Sequence, residues 1–500
     1  MSLVVTGRVV TFDVERPVLD DGAVYVGDDG LIDAVQDRGD APPAGFEHAH
    51  RVKSGGVVYP GLIDLHNHIA YNCLSLWSPP GRTEPYTSRA QWPRDPSYKG
   101  DIHDPVATLG TVAGKALLKY VETKAVVGGV TAIQGSAKTA HPYEGWLVRN
   151  VEVETFRTKK RTVFQSVRTL ATADDFAGAR KHLQDGQAFI YHLSEGTDPK
   201  LVREFEDLRT HDCLGPHLGA IHCTALDEPQ YGEWKPNGGS VIWSPFSNLW
   251  LYRDTTDVLA ARAAGLTVCL GADWSPSGSK SLLGELKVAD LWSATKLDGA
   301  LSAQDICAMA TCNPADALGW SDRIGRLRPG LHGDVTVVTE QDPDPYRNLV
   351  AATEADVRFV AVNGEPFYGL TSLLRSGGAT HAEPIRVAGR DRAIVLVYPD
   401  VPDADMTWKQ VVNALEDARA DPQGARMRMA AAVHGGEEPV RLLPDKPWDE
   451  PDQLAAAPPP AAGKVPPLDS LAADAAYFKA IEASPLHGGL LDGLREYYDR

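Results

Sequence analysis

The first segment of the chain, residues 1–56, alternates short apolar runs with turns rich in Gly and Asp. The runs L-V-V-T-G-R-V-V-T-F and G-A-V-Y-V-G-D-D-G-L-I have the length and composition of β-strands. They predict a small antiparallel sheet that is too short to enclose a hydrophobic core by itself. Similar short runs return in residues 325–384. We therefore expect the two segments to be the two parts of one composite β-sandwich.

The pattern changes at Val57, after which apolar strands alternate with helices up to residue 324. The predicted strands are 57–64, 129–135, 162–167, 188–196, 218–223, 240–245 and 266–273. The predicted helices are 104–127, 174–186, 201–209, 258–265, 281–296 and 302–319. Such alternation indicates an α/β protein with a parallel sheet. So many units in one run favour a TIM-like β/α barrel over a doubly wound open sheet.

One of the eight strands of such a barrel has no counterpart in this pattern. Between the predicted strands 162–167 and 188–196 there is room for only one helix. Two interpretations stay open: the barrel is incomplete and distorted, or another segment supplies the missing strand.

Residues 385–500 form a C-terminal extension in this division of the chain. The Pro/Ala-rich stretch 455–467 is typical of a linker or an extended arm. Two short helices are predicted after it. We expect them to dock on the body of the protein or on a neighbouring subunit, so a homodimer is one expectation.

The composition is that of a globular protein with an acidic balance of charge. The formal net charge of −18 argues against a nucleic acid or an anionic membrane as partner, because both are polyanions. No basic leader with a long apolar core is visible, and no run approaches the ~20 apolar residues of a membrane span. The six cysteines include no C-x-x-C pair, and we expect reduced thiols in a cytoplasmic protein.

Side chains that suit metal binding or proton transfer follow four of the predicted strands. His66 and His68 lie two residues apart, so on a strand they face the same side. The later strand ends supply His192 and Glu195 in H-L-S-E, His222 in I-H-C, and Asp273 in L-G-A-D. Active sites of TIM-like barrels lie at the carboxyl ends of the strands, so we expect these side chains to meet at one rim. Three imidazoles and a carboxylate form a sensible ligand set for Zn²⁺ or another borderline divalent ion.

These motifs together resemble the amidohydrolase superfamily. P-G-L-I-D-L-H-N-H is similar to its first-strand signature, and H-L-S-E resembles the H-x-x-E of its aminohydrolase branch. That branch contains deaminases of purines, cytosine and triazines, and related chlorohydrolases. I-H-C, S-P-F-S-N-L-W-L, L-G-A-D and I-G-R-L-R-P-G-L-H-G-D-V-T-V-V follow in the order of that branch. The resemblance runs from about residue 3 to about residue 385.

The resemblance implies one bound divalent metal, with Zn²⁺ preferred and Fe²⁺ as the alternative. His66, His68, His192 and Asp273 would be its ligands. Some members of the superfamily bind two metals that are bridged by a carboxylated lysine at a strand end. The strand 162–167 ends without a lysine, so a single metal is expected here.

The resemblance also implies the catalytic roles, in a reaction that proceeds by attack of metal-activated hydroxide. Asp273 would accept a proton from the water and orient it. His222 would polarise the hydroxide or the attacked substrate atom. Glu195 would move a proton to the leaving nitrogen, as a general acid does.

The insertion 70–104 directly follows the first strand, so it should lie over the site. It is rich in Trp, Tyr and Arg. One interpretation is a lid that stacks a planar substrate or binds a carboxylate; the other is a loop that packs its aromatic residues onto the barrel or at a dimer contact. The candidate substrate contacts in and near it are Trp77, Arg89, Trp92, Gln134 and Trp274.

The sequence therefore predicts a metal-dependent hydrolase that cleaves a C–N bond of a small cyclic or planar molecule. Deamination is the best single prediction. Ring opening of a cyclic amide or amidine and hydrolytic dehalogenation use the same groups and stay open as alternatives. A non-catalytic binding or assembly protein of the same fold is least favoured, because every predicted ligand is present.

Overall fold

The computed structural model describes residues 2–135, 138–139, 143–158, 160–434, 440–443 and 465–499. Most of the predicted Pro/Ala-rich linker, residues 455–464, lies outside this part. Within the described residues, the structure contains no helix with the length and apolar character needed to cross a membrane.

A nine-stranded mixed sheet contains strands from both sides of the barrel sequence. Its spatial order is Ala382–Val387, Arg390–Val395, Glu365–Gly369, Val357–Val362, Val335–Val338, His50–Pro60, Leu3–Val10, Val18–Val26 and Ile32–Asp37. Leu3–Val10 pairs with His50–Pro60 in parallel, and the other ladders are antiparallel. The sheet extends to Val395, past residue 384, where the sequence division places the start of the C-terminal extension.

The apolar run 57–64, predicted as one barrel strand, is divided between two sheets. His50–Pro60 ends in the nine-stranded sheet, and Leu62–Asp64 begins the barrel. Gly61 separates them at a point where a Cβ atom would stand 2.0 Å from Thr131 Oγ1. The prediction of a single strand is therefore wrong, because the chain passes from one sheet to the other at a glycine that allows this close approach.

Eight short parallel strands form the barrel. In chain order they are Leu62–Asp64, Val130–Ile133, Arg149–Asn150, Val163–Ser166, Ala188–Leu193, Leu218–His222, Ser240–Trp243 and Thr267–Leu270, here called barrel strands one to eight. Strands one to three form one sheet and strands four to eight another, and a parallel bridge between Asn67 and Asp273 joins the ends of strands one and eight. Residues in or beside all eight strands pack in one buried cluster. The fold is thus a distorted TIM-like barrel.

Barrel strand three is the strand that the sequence pattern did not reveal. It contains only Arg149 and Asn150, and it precedes strand four instead of following it. The two residues pair with Ala132 and Ile133 of strand two. A two-residue strand is too short to show a period-two pattern, so hydrophobicity alone does not identify it.

Helices surround the barrel and connect its strands. The predicted helix 104–127 is interrupted at Ala113, whose φ of −145° is not helical. The predicted helix 302–319 is also two helices. The α-helices are Asp104–Val112, Gly114–Val127, Ala173–Gln184, Val202–Thr210, Glu228–Trp234, Pro245–Tyr252, Val258–Ala263, Leu282–Lys296, Ala303–Ala308, Cys312–Ala317, Pro345–Ala351, Thr371–Ser376, Trp408–Ala420, Pro422–His434 and Ala475–Ala483.

Residues 465–499 dock on the barrel. They contain the helix Ala475–Ala483 and a 3₁₀ turn, Leu494–Tyr497, where the sequence predicts a second short helix. Tyr477 stacks on Phe246 with ring centroids 6.1 Å apart, and His487 stacks on Trp250 at 5.7 Å. The C-terminal segment therefore covers the helix Pro245–Tyr252, which follows barrel strand seven.

A buried ion pair on barrel strand three gives a test of this fold. Arg149 donates from Nε and Nη2 to the two carboxylate oxygens of Asp334, at 2.7 and 3.0 Å. We expect Arg149→Met to lower the free energy of unfolding by about 3–5 kcal/mol, because the buried charge of Asp334 loses its cation. Urea and thermal denaturation measure the effect. The control is Arg386→Met, which breaks an exposed ion pair, since the side chains of Arg386 and Asp391 are 71% and 94% exposed. Equal losses of unfolding free energy in the two variants would contradict a stabilising role of the buried pair.

Candidate active site

Six side chains converge at the carboxyl ends of the barrel strands. Their ligand atoms form three overlapping groups, and within each group the atoms lie within 4.8 Å of one another. The groups are His66, His68 and His192; His66, His222 and Asp273; and His192, Glu195 and His222. The structure therefore brings together the predicted metal ligands and the predicted catalytic residues in one place.

Four of these side chains fit the ligand set of a divalent metal. Asp273 Oδ1 lies 3.2 Å from His66 Nε2 and 3.6 Å from His68 Nε2, and the rings of His66 and His192 have centroids 4.7 Å apart. The His66 side chain is fully buried, so its Nε2 has no access to solvent. Imidazole nitrogens and a carboxylate that converge in a buried space match a borderline divalent cation. The arrangement is that of a divalent metal site.

Burial and mutual proximity set the charge of the site. Burial lowers the pKa of His66, and it lowers the pKa of His192 and His222 well below the ordinary value. Burial by itself would raise the pKa of Asp273, but the nearby imidazoles outweigh it and hold that pKa well below its usual range. Neutral imidazoles keep a lone pair for a metal, and an ionised carboxylate supplies the negative charge.

The main chain fixes the distance between the ligands of strands one and eight. Asp273 N–H donates to His66 O at 2.8 Å, and His68 N–H donates to Asp273 O at 3.2 Å. A second connection comes from Asp64, which accepts from Ala272 N–H at 3.0 Å and from Asn67 Nδ2 at 2.9 Å. The two strand ends are thus held as one unit.

Gln134, predicted as a substrate contact, supports His66. Its Oε1 lies 3.4 Å from His66 Nδ1 and accepts from Asn67 N–H at 3.2 Å, while its Nε2 donates to Glu152 Oε1 at 2.7 Å. The side chain is buried, and both ends of its amide are occupied. These contacts are all with protein groups, and a contact between Gln134 and substrate stays a prediction. The contact with Nδ1 leaves His66 Nε2 to face the metal site.

A chain of hydrogen bonds determines which nitrogen of His222 carries the proton. Trp243 Nε1, which can only donate, donates to Thr255 Oγ1 at 2.6 Å, and that hydroxyl donates to Asn248 Oδ1 at 3.3 Å. The amide of Asn248 therefore directs Nδ2 at His222 Nδ1, 3.0 Å away. His222 Nδ1 is then an acceptor, and the neutral ring holds its proton on Nε2, the atom that faces Glu195 and Asp273.

The backbone leaves the strand conformation at two of the site residues and at Ser194, which precedes a third. Ser194, His222 and Asp273 have φ values of +52°, +68° and +60°. Non-glycine residues seldom adopt this left-handed conformation, and its concentration at strand ends is typical of functional sites. Because the turn after strand five begins at Ser194, His192 and Glu195 face the same site.

Glu195 is a buried acid with one oxygen held and the other directed at the site. Tyr252 Oη donates to its Oε1 at 2.6 Å, and the same hydroxyl accepts from Trp92 Nε1 at 3.3 Å. Glu195 Oε2 lies 3.6 Å from His222 Nε2, and within the described chain it has no hydrogen-bond partner. Burial raises the pKa of Glu195 to about 7. Such a carboxyl can hold or release a proton near neutral pH.

The insertion 70–104 lies beside the site and contributes to an aromatic wall, formed by Tyr71, Trp92, Tyr98 and Trp274. The centroid of the Trp274 ring lies 6.2 Å from that of His68. It lies 5.1 Å from the ring centroids of both Trp92 and Tyr71. Tyr98 packs on Trp92 at 5.4 Å. Trp92 and Trp274 thus stand next to the site residues.

Trp77 lies in a second layer behind this wall. Its ring packs on Tyr98 at 5.9 Å, and its Nε1 donates to Ser97 Oγ at 3.2 Å. The side chain is buried, and its contacts hold the insertion together. The structure gives Trp77 a packing role, and its contact with substrate stays a prediction.

Arg89, another predicted substrate contact, is a buried structural cation. Its Nη1 donates to His192 O at 3.0 Å, and its Nη2 donates to Thr169 Oγ1 at 2.7 Å and to Glu204 Oε1 at 3.1 Å. The guanidinium is occupied by protein groups and its charge is compensated by Glu204, and a contact between Arg89 and substrate stays a prediction. Arg89 attaches the insertion to the strand that carries His192.

The insertion also pairs with the turn that carries Glu195. Ser88 forms an antiparallel bridge with Gly196, and Arg89 N–H donates to Glu195 O at 3.2 Å. Gly196 has a φ of +130°, and a Cβ atom there would stand 2.3 Å from Thr87 O. Only glycine allows the two segments to come this close.

Two supporting residues, Asn248 and Tyr252, were missed in the sequence. They lie four residues apart on the helix Pro245–Tyr252, so they share one face that points at His222 and Glu195. The signal was the segment S-P-F-S-N-L-W-L-Y, residues 244–252, which has an Asn and a Tyr at helical spacing directly after a barrel strand.

Comparisons with known proteins agree with this site. Residues 182–368 match the model of the amidohydrolase family. A 5-methylthioadenosine/S-adenosylhomocysteine deaminase of Syntrophobacter fumaroxidans is 29% identical over 409 residues, which cover 72% of this chain and 91% of that protein.

Solved structures show the same fold. A triazine hydrolase from Arthrobacter aurescens superposes with a TM-score of 0.57 at 19% identity, covering 73% of this chain and 94% of that one. An adenosine deaminase from Xanthomonas campestris with bound zinc gives a TM-score of 0.55 at 19% identity, covering 86% and 98%.

The family match lies on the part of the chain that supplies His192, Glu195, His222 and Asp273. The barrel places these residues together with His66 and His68 at one rim. The chain is similar to the amidohydrolase family over residues 182–368 and is a hydrolytic enzyme that acts on C–N bonds.

Proposed function

We propose that this enzyme deaminates a planar heteroaromatic amine with the help of one zinc ion. The observation that carries the proposal is the position of His222 Nε2, 3.6 Å from Glu195 Oε2 and 4.0 Å from Asp273 Oδ2, beside three converging imidazoles. Two carboxyl groups with different charge states then flank one polarising imidazole. That is the set of groups needed to add water to a carbon and release an amine.

His66, His68, His192 and Asp273 would hold the metal. Imidazole and carboxylate ligands favour Zn²⁺, and the adenosine deaminase that shares the fold holds zinc. When bound, the ion supplies Lewis acidity that lowers the pKa of water, so that hydroxide is available near neutral pH.

The protein side chains account for the proton transfers. Asp273, kept ionised, accepts a proton from water as the water oxygen bonds to the ring carbon. His222 keeps its proton and donates a hydrogen bond from Nε2 to the atom on which negative charge develops. Glu195 gives its proton to the amino nitrogen as the C–N bond breaks and ammonia leaves, and the proton taken up by Asp273 restores the acid form of Glu195. The net reaction consumes one water and leaves a ring carbonyl.

The aromatic wall supports a planar substrate. Trp274 lies next to His68, and Trp92 packs on Trp274, so these are the rings that would stack on such a substrate. The name of the Syntrophobacter relative supports an aminopurine as the first compound to test. Ring opening and dehalogenation remain the alternatives, because they differ from deamination only in the group that leaves.

Two further expectations belong to this proposal. A cytoplasmic location fits the six cysteines, all of which are buried and unpaired. A homodimer remains a prediction from the C-terminal extension, and the domain division at residues 56, 324 and 384 remains a proposal.

The metal assignment is tested by His66→Ala. The purified chain should hold about one zinc per chain, and the variant should lose both the zinc and all hydrolysis, because the site would lose one of its three imidazole ligands. Elemental analysis measures the metal. His211→Ala, whose ring stacks on Phe176 at 4.1 Å outside the site, is the control and should keep both. Unaltered protein that holds no divalent ion would contradict the assignment.

The reaction class is tested by an ammonia-release screen over aminopurines, aminopyrimidines, aminotriazines and cyclic ureas. Glu195→Gln should retain zinc and lose roughly 10²–10⁴-fold in turnover, because the amide cannot cycle a proton. Ammonia release and substrate loss are followed together. Substrate loss without ammonia would replace deamination with ring opening or dehalogenation.

The support of Glu195 is tested by Tyr252→Phe. A hydrogen bond to a charged group is worth about 1.5–3 kcal/mol, so kcat should fall about 10–100-fold while zinc is retained. Tyr231→Phe is a matched control, because its buried hydroxyl has no hydrogen-bond partner in the described part of the chain. Steady-state kinetics separate the two variants, and equal kcat values would argue against the role of Tyr252.

A further inference from the structure

A second cluster of buried charges lies outside the active site. Asp469, in the C-terminal segment, is 2% exposed and accepts from Lys124 Nζ at 2.5 Å through Oδ2. Its other oxygen, Oδ1, accepts from Lys280 Nζ. One carboxylate therefore compensates two buried ammonium groups. The two lysines come from the helix Gly114–Val127 and from the segment that follows Asp273.

The same carboxylate is attached to the start of the insertion. Asp469 N–H donates to Cys73 O at 2.8 Å, and Ser75 Oγ donates to Asp469 Oδ1 at 2.9 Å. Burial acts to raise the pKa of Asp469, but Lys124 and Lys280 outweigh it and keep the pKa below its usual value. Asp469 is thus an ionised group that joins three distant parts of the chain.

Lys124 extends this cluster toward the metal ligands. Its Nζ donates to Asn72 O at 3.0 Å and to Ser275 Oγ at 2.6 Å. Asn72 Oδ1 accepts from Ser275 N–H at 3.0 Å, and Asn72 Nδ2 donates to Asn67 Oδ1 at 2.9 Å. Asn67 stands between His66 and His68, and Ser275 lies two residues after Asp273. The cluster therefore reaches both strand ends that supply ligands.

We propose that Asp469 is a positioning residue of the active site, which acts through Lys124 and Asn72 to fix the strand ends that carry His66, His68 and Asp273. The C-terminal segment, residues 465–499, then supports the active site and does not only cover the barrel. The inference rests on the proposed function, since it concerns the same metal ligands. Residues that orient metal ligands from behind commonly change metal affinity or activity about 10–100-fold when they are altered.

The two lysines provide a matched pair for a test. Lys124→Met and Lys280→Met each remove one cation, and each leaves one Lys–Asp469 pair in place. They differ in their other contacts. In the described part of the chain, Lys280 hydrogen-bonds to Asp469 and to Ser470 Oγ at 3.3 Å and makes no hydrogen bond to Asn72 or Ser275. A merely structural cluster predicts the same result for both variants.

The first measurement is the rate of zinc release from the full-length protein into excess EDTA, with thermal denaturation in parallel. We expect Lys124→Met to release zinc about 10–100-fold faster than the unaltered chain, and Lys280→Met to stay close to it. Both should have similar Tm values. Where a substrate is available, kcat should fall in Lys124→Met only. Equal zinc release in the two variants would overturn the proposal.

A second measurement needs neither zinc nor substrate, so it separates this proposal from the proposed function. Amide hydrogen exchange of the peptide that contains residues 64–68 should be faster in metal-free Lys124→Met than in metal-free Lys280→Met. Unchanged exchange in both variants would refute positioning, even if the enzyme deaminates its substrate. Faster exchange in Lys124→Met alone would support it, even if the metal or the reaction proves to be different. Asp469→Asn serves as a further variant, but it leaves two buried cations and is expected to lower the Tm most.

Discussion

The backbone seam between the first and last barrel strands is the constraint on which the site depends. His66 and His68 lie on one side of it and Asp273 on the other, joined by reciprocal N–H···O bonds of 2.8 and 3.2 Å. Because these are main-chain bonds, the separation of the ligands is set by the barrel and not by side-chain rotamers. The seam also brings together residues from opposite ends of the barrel sequence, so the site exists only when the barrel is closed.

Closing the seam buries polar groups, and the surrounding structure follows from the need to satisfy them. His66 has Gln134, His222 has Asn248, and Glu195 has Tyr252. In each pair the functional residue has one polar atom bound by its partner, and its other polar atom faces the metal site. The supporting residues therefore do more than satisfy burial: they decide which atom of each functional group is available for chemistry.

The sequence was informative where chemistry coincides with local pattern. His66, His68, His192 and Asp273 could be predicted because each follows an apolar strand, and strand ends meet at one rim of a parallel barrel. Barrel strand three could not be predicted, because two residues carry no periodicity. The sequence suggests Arg89 as a substrate contact because it lies in the insertion, and Gln134 because it lies near a strand end. Their contacts with His192 O and His66 Nδ1 could not be predicted, because these partners are remote in sequence. Asp469 follows a Pro/Ala-rich stretch, and its sequence neighbours do not indicate that its carboxylate pairs with two buried lysines, Lys124 and Lys280.

The attachment of the insertion bears on how the enzyme selects its substrate. Arg89 is bound to the backbone of His192, Ser88 pairs with Gly196, and Trp92 donates to the hydroxyl that holds Glu195. Each contact ends on a residue of the catalytic rim or on its immediate support. A segment held in this way cannot move far without disturbing the metal ligand or the acid. These contacts therefore favour a preorganised aromatic wall over a hinged lid.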